Sequence, residues 1–245
     1  MPLNSHIKKL CDDSLNELFS KEYWEKIEKR KKNKDNHEPL YSDLDARIAY
    51  IVHSITIRSG IILENLYFEA VKMCCPHLEV WGEKKFKISR HAMMMASDQD
   101  NKDILETECP YGEAVEIKNR AKTRQVDLLT YDKEKKLICS YEIKRGGGHH
   151  DSEKQEKILE NLFAVRMLLK SYGQNRNLEV NKARSYIISH MNSELFSPDY
   201  RFFQINGNEV NEHFNSNVIG SLTEGYDYFN NTFKKKFNTL KKLAN

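Results

Sequence analysis

Two acids and a lysine in this chain have the types and the spacing for metal-assisted hydrolysis of a phosphodiester. Asp127 stands early in the stretch Gln125-Val-Asp-Leu-Leu-Thr-Tyr-Asp, and Glu142 and Lys144 close the stretch Lys136-Leu-Ile-Cys-Ser-Tyr-Glu-Ile-Lys, with the charged link 132–136 between them. Such a cut requires that charge on the scissile phosphate be offset and that water become a nucleophile near neutral pH. A Mg²⁺ held by carboxylate oxygens meets both needs. Asp127 and Glu142 would supply those oxygens, with Mn²⁺ as a substitute ion. The Lys144 ammonium would orient or help deprotonate the water and offset charge in the transition state.

The elements that must position these groups are legible from the pattern. Residues 125–131 and 137–144 are β-rich, and a charged link of five residues makes them a hairpin. Residues i and i+2 of a strand share a face, so Glu142 and Lys144 project together while Ile143 points the other way. Gly146-Gly-Gly148 breaks the second strand. Asp151 or Ser152 then caps a helix bearing Ile158, Leu159, Leu162, Phe163, Val165, Arg166, Met167 and Leu169, ended by Gly173. Residues 184–190 form a short apolar strand that follows a helical crossover and is therefore parallel to the strand before it. Upstream, residues 5–32 read as a helix. Residues 42–75 read as a helix divided by Ser59-Gly60 into 45–57 and 61–73 and stopped by Pro76. Residues 114–118 read as the first of three consecutive strands, and 85–89 as a short strand in a stretch without a clear period.

An acid, a hairpin, then Glu-x-Lys, framed by helix, three strands, helix and strand over residues 58–190, resembles the PD-(D/E)XK nuclease superfamily. The resemblance covers roughly half of the chain, with Val126 where that motif has its proline. It implies an α/β fold with a mixed central sheet flanked by helices, a restriction-endonuclease-like core. A helical N-terminal elaboration (1–57), an insertion at about 82–112 and a mixed C-terminal elaboration (191–245) would surround the 58–190 catalytic core. The family's metal-binding acids map onto Asp127 and Glu142, and its lysine onto Lys144. A free-standing nuclease of this length without a Walker A loop looks like a type II restriction endonuclease. By that resemblance the substrate is double-stranded DNA, the protein a homodimer, and a DNA methyltransferase a partner encoded nearby. A structure-specific repair, phage or mobile-element nuclease on the same fold is the alternative; a DNA-binding protein on that fold that does not cut is a further one.

Secondary candidates follow. Many members of that family add an acid from the helix before the sheet, and Glu64 and Glu69 both qualify. They lie about 140° apart around a helix, so both cannot face one metal site; Glu64, flanked by Ile61, Leu66 and Phe68, is favoured as a third metal ligand and catalytic acid. Gln155, Lys154 and His149 are candidates to contact phosphate. A competing Glu116-Ile-Lys118, with Asp103 thirteen residues earlier, lacks the glycine turn and the helix, although Glu113 or Glu116 could stand at the rim of the site.

The bulk composition is compatible with these readings. Lys plus Arg number 39 and Asp plus Glu 36, a net charge of +3, so nucleic-acid binding must come from local patches and not from a uniformly basic chain. Residues 26–34 and 233–242 are two such patches. The five cysteines are odd in number and contain no Cys-x-x-Cys, which argues against a disulfide framework or a zinc ribbon. No signal-like start and no run of eighteen apolar residues is present, so a cytoplasmic location and no membrane contact are expected.

Overall fold

The computed structural model of the 245-residue chain describes residues 5–23, 25, 43–97, 106–112, 116–117, 120–121, 123–146 and 152–244. It divides into two compact units, one of Tyr67–Ile219 and one of Met1–Leu66 with Gly220–Asn245.

The first of these holds a five-stranded mixed sheet in the order β1-β4-β5-β6-β7. Its strands are β1 (Leu78–Lys87), β4 (Thr123–Asp132), β5 (Leu137–Lys144), β6 (Lys182–Ser189) and β7 (Gln204–Asn206). β1 and β5 flank β4 antiparallel, while β6 and β7 continue the sheet in parallel. The β4–β5 turn is tight because Asp132 Oδ1 accepts the Lys135 N–H at 3.0 Å and Lys136 takes a left-handed φ of 49°. The parallel step from β5 to β6 needs a crossover, supplied by helix α4 (Ser152–Asn175).

One face of the sheet is covered by α4 and by the short helix α3 (Arg90–Ser97), which packs on α4. Leu129, Tyr131, Ile138 and Ile187 from the strands meet Leu159, Leu162, Phe163 and Met167 from α4 in a continuous apolar core. On the other face Tyr141 packs against His213 and Phe214, at the end of helix α5 (Val210–His213). The sheet thus has helical cover on both faces, the usual requirement where parallel strands are buried.

The helical unit contains α1 (Ser5–Leu18), the first part of α2 (Asp43–Cys74) and α6 (Val218–Ala244). Ile7, Cys11, Leu15 and Leu18 form the buried stripe of α1. A Cβ on Gly225 of α6 would fall 2.6 Å from a Leu66 methyl and 2.8 Å from one of Ile7, so a bare backbone lets these helices close on each other. The basic stretch 233–242 belongs to α6. Phe233 stacks on Phe237 and meets Phe19, and Lys236 donates to Asn16 at 3.1 Å, so part of that stretch faces protein.

The α/β class and the mixed sheet with flanking helices agree with expectation, and β5 spans the residues expected. Other expectations are corrected. The outer strand paired with β4 is β1, not residues 114–118. Among the described residues, Glu116–Ile117 (β2) pairs with Arg120–Ala121 (β3) in a separate ribbon. The stretch read as an insertion therefore contributes to the sheet and its cover, through the second half of β1 and through α3. Ser59-Gly60 does not divide α2: the Ser59 hydroxyl donates to the Thr56 carbonyl at 2.9 Å and the helix runs through. The first helix is described to Leu18, and α4 runs two residues past Gly173. The basic stretch 26–34 lies outside the described residues. Among the described residues no helix is long and apolar enough to cross a membrane, and all five cysteines are free thiols.

Candidate active-site cleft

The cleft forms where β4 and β5 part. Their register runs from Asp132↔Leu137 to Leu128↔Tyr141 and stops, while β5 continues beside β6 as far as Lys144↔Ser189. At the fork Asp127 Oδ2 accepts the Ile143 backbone N–H at 2.9 Å, and Gln125 Nε2 donates to Asp127 Oδ1 at 3.1 Å. A β-bulge sets this geometry. Between Trp81↔Leu129 and Glu83↔Val126, β4 carries one residue more than β1. The extra residue breaks the strict alternation of faces and re-aims the side chains around it. Gly82 lies opposite the bulge, where an added Cβ would come 3.3 Å from the Asp127 carbonyl oxygen.

Glu142 and Lys144, two apart on β5, point to the same side and form an ion pair with Nζ to Oε1 at 2.6 Å; each side chain is about one third exposed, at 32% and 36%. Ser140 lies two residues earlier on the same face and bonds Ser185 across to β6 at 2.7 Å. With Asp127 they line an open cleft of about 480 Å³, whose α4 wall is Asn161, Leu162 and Val165. The strand end that carries Lys144 is anchored by the His190 N–H, which donates to the Lys144 carbonyl at 2.9 Å. His190 is itself fixed through Nδ1, 3.1 Å from the Tyr67 hydroxyl.

Burial pushes the Asp127 carboxyl above its ordinary value, and Glu142 adds to the rise; the Ile143 N–H, Lys144 and Gln125 oppose it. A half-buried carboxylate held in this way gains from a cation that enters the cleft. Asp127 and Glu142 are the oxygens able to hold one. Among the described residues no group of three or more His, Cys, Asp and Glu side chains gathers as a metal site. Two carboxylates are nevertheless a sufficient protein contribution for Mg²⁺, which keeps several waters and takes further oxygens from a phosphate substrate.

Arg124 was missed by the sequence reading. It lines the cleft three residues before Asp127, and on a regular strand that odd separation would put the two on opposite faces. The bulge brings both to one cleft. Burial lowers the Arg124 guanidinium from its ordinary value, with Glu142 and Glu160 acting the other way. Among the described residues that guanidinium makes no hydrogen bond and no ion pair. Asn161 was also missed; it lines the cleft from α4 beside Leu162, and nothing in its spacing marks it.

The remaining candidates are scattered. Glu69 lies within the sheet-bearing unit and does not line the cleft, and Glu64 belongs to the helical unit. Both are partly exposed on the continuous α2. Lys154 is exposed and Gln155 half-buried in the first turn of α4, and neither lines the cleft; Lys157 is ion-paired with Glu160. His149, Glu113, Lys118 and Asp103 lie outside the described residues, and Glu116 sits in the separate ribbon. Compared with family models, with curated proteins and with solved structures, the chain matches none.

Proposed function

We propose that the chain is a metal-dependent DNA endonuclease of the PD-(D/E)XK kind, acting on double-stranded DNA as a type II restriction enzyme and as a homodimer. The observation that carries this reading is the strand fork. It gathers Asp127, Glu142 and Lys144 in one open cleft, with Asp127 held by the Ile143 amide at the opening.

In this reading Asp127 and Glu142 hold Mg²⁺, which would polarise the phosphate and lower the pKa of a bound water. Lys144, now paired with Glu142, places a positive charge where negative charge develops. The guanidinium of Arg124 offers a fork of donors matched to a phosphate's oxygens on the same side of the cleft. Two acids, one ammonium and an uncommitted guanidinium suit a polyanionic substrate cut with a divalent ion better than a neutral one.

The test is incubation of the purified chain with supercoiled plasmid and Mg²⁺, with and without EDTA. Nicked or linear product that vanishes with chelator is expected. Discrete bands support sequence recognition, and a smear or branch-dependent nicking favours the structure-specific nuclease. No cleavage with Mg²⁺ or Mn²⁺ on any of linear, plasmid or branched DNA rejects the enzyme reading.

A further inference from the structure

We infer that the outer edge of β6 over residues 182–186 is a docking site for an extended segment of a partner protein, one in which acidic and apolar side chains alternate. Three independent features of the sheet-bearing unit carry this, and none depends on the proposed nuclease activity.

The first is an unpaired strand edge. β6 is paired with β5 along its whole length, but β7 pairs only with Ile187, Ile188 and Ser189. Beyond them, among the described residues, no strand pairs with residues 182–186 on the outer side and no loop or turn backbone bonds to residues 183–186. Such a row of backbone donors and acceptors is a template for one more strand.

The second is a cavity on each face of that edge. One, of about 530 Å³, lies on the α4 side and is bounded by Arg166, Phe202 and Phe203. The other, of about 630 Å³, lies on the opposite side beside Tyr186 and His213. Lys182, Arg184 and Tyr186 border both, but by register with Leu137, Cys139 and Tyr141 their side chains lie on the Tyr141 face, the side of the second cavity. Successive residues of an added strand point to opposite faces, so its side chains would enter the two cavities in turn.

The third is that the cavities differ in chemistry. Phe202 is 56% exposed at the α4-side cavity, and the acids there are offset by cations: Glu108 is paired with Lys170, and Arg166 is close to Glu106 and Glu108. That side suits an apolar group. On the other side Asp132 is already neutralised by Lys135 at 3.0 Å, whereas Lys182 makes no ion pair and Arg184 donates only to the Tyr186 hydroxyl, at 3.3 Å, among the described residues. Burial and the Arg184 charge also lower the His213 imidazole to a pKa of about 4, so it stays neutral beside them. That side suits carboxylates. A second copy pairing through this edge would instead set Lys182 and Arg184 against their own counterparts, a like-charge contact that destabilises strand pairing.

The test uses the full chain and a fluorescein-labelled peptide in which glutamate and leucine alternate, with a lysine-leucine peptide as control. The expected result is saturable binding of the glutamate peptide by fluorescence anisotropy, with slowed hydrogen exchange confined to the peptide covering residues 182–186. The exposed pair Lys182→Glu/Arg184→Glu should weaken it by roughly tenfold or more and reverse the preference toward the lysine peptide. Phe202→Glu should weaken binding with no reversal of charge preference, which keeps the idea testable if the double variant does not fold. Binding by neither peptide, binding indifferent to both variants, or protection elsewhere overturns the inference. So does an edge protected by self-association, or by a single-stranded oligonucleotide and not by the glutamate peptide.

Discussion

Asp127 and Ile143 are joined by a hydrogen bond in which the acid's Oδ2 accepts the amide N–H at 2.9 Å, one residue beyond the last register pair on β4 and two beyond it on β5. A side-chain carboxylate here takes the place of the backbone carbonyl that would have continued the ladder. The bond satisfies an N–H at the point where the strands separate, and it pins one carboxylate oxygen. The orientation of the acid is thus built into the sheet and does not depend on a loop.

Replacing Asp127 by Asn keeps an oxygen for the Ile143 amide and removes the charge. Cleavage should fall by roughly a thousandfold or more, since a neutral amide is a poor ligand for a hard cation. Stability has the opposite sign. The raised Asp127 pKa means that the folded chain holds this proton more tightly than the unfolded one. The associated stability is fully present below the ordinary carboxylate pKa and is lost as pH rises through the raised value. Asn carries no such charge. The variant should therefore melt no lower than the parent at pH 7, with its relative advantage shrinking as the pH falls through the raised Asp127 value towards the ordinary carboxylate pKa, and gone below it. Thermal melts of both proteins across that range check this; an Asn variant that gains on the parent in acid contradicts it.

Lys144→Ala should abolish cleavage while the fold and DNA binding persist, and Lys118→Ala should not. Lys144 stands at the end of a strand whose neighbour on the same face, Glu142, lies 2.6 Å away and is a proposed metal ligand. A charge so placed acts on the water and the transition state more than on ground-state affinity. The expected loss is about 10²–10³-fold in turnover, measured by plasmid cleavage beside a gel shift and a melt. Lys144 also lowers the Asp127 pKa, so any residual activity of the alanine variant should lose its acid side at a higher pH than the parent. An active Lys144→Ala with a dead Lys118→Ala would move the site to another strand.

Much of this arrangement was legible because it rests on short-range pattern. β5 alternates Ile138, Ser140, Glu142 and Lys144 with Cys139, Tyr141 and Ile143, and the charged turn before it leaves little freedom of register. β1 was largely hidden because two register shifts against β4 break its period and it is an edge strand, so Val80, Trp81 and Phe86 keep no regular spacing. Residues 114–118 carry strand-forming side chains, yet the described part of that stretch, Glu116–Ile117, pairs with Arg120–Ala121 and not with the main sheet, since tertiary pairing and not propensity decides which segment joins a sheet. In α2 the cost of a mid-helix glycine, about 1 kcal/mol, is too small to end so long a helix. Arg124 was illegible for a different reason, because its face is set by a bulge and bulges leave no periodic mark.

Glu64→Ala should reduce cleavage more than Glu69→Ala. The two lie on one uninterrupted helix about 140° apart, so a single metal site can receive only one of them. Neither lines the cleft; Glu64 is the helix acid to test because Ile61, Leu66 and Phe68 flank its carboxylate in the sequence. Rates of plasmid nicking at several Mg²⁺ concentrations are the readout, and a lost ligand should raise the Mg²⁺ needed for half-maximal rate. Equal effects, or none, remove the helix acid from the site.

Arg124 separates substrate binding from metal binding most directly. Its guanidinium lines the cleft near Glu142 and Glu160 yet has no hydrogen bond or ion pair among the described residues, and a half-buried charge of this kind gains by meeting an anion. If that anion is a DNA phosphate, Arg124→Ala should weaken binding alike for all sequences and lessen the slope of log K against log salt by about one. Cleavage at saturating DNA should fall less than in Asp127→Asn, because the acids and Lys144 stay in place. Arg124→Lys should recover the salt slope but only part of the affinity, since an ammonium lacks the two-pronged geometry. Titrations of labelled duplex at several salt concentrations, run in Ca²⁺ to hold cleavage off, distinguish these outcomes. An unchanged slope in Arg124→Ala would mean that this guanidinium meets no phosphate, and the cleft would then have to bind its substrate without it.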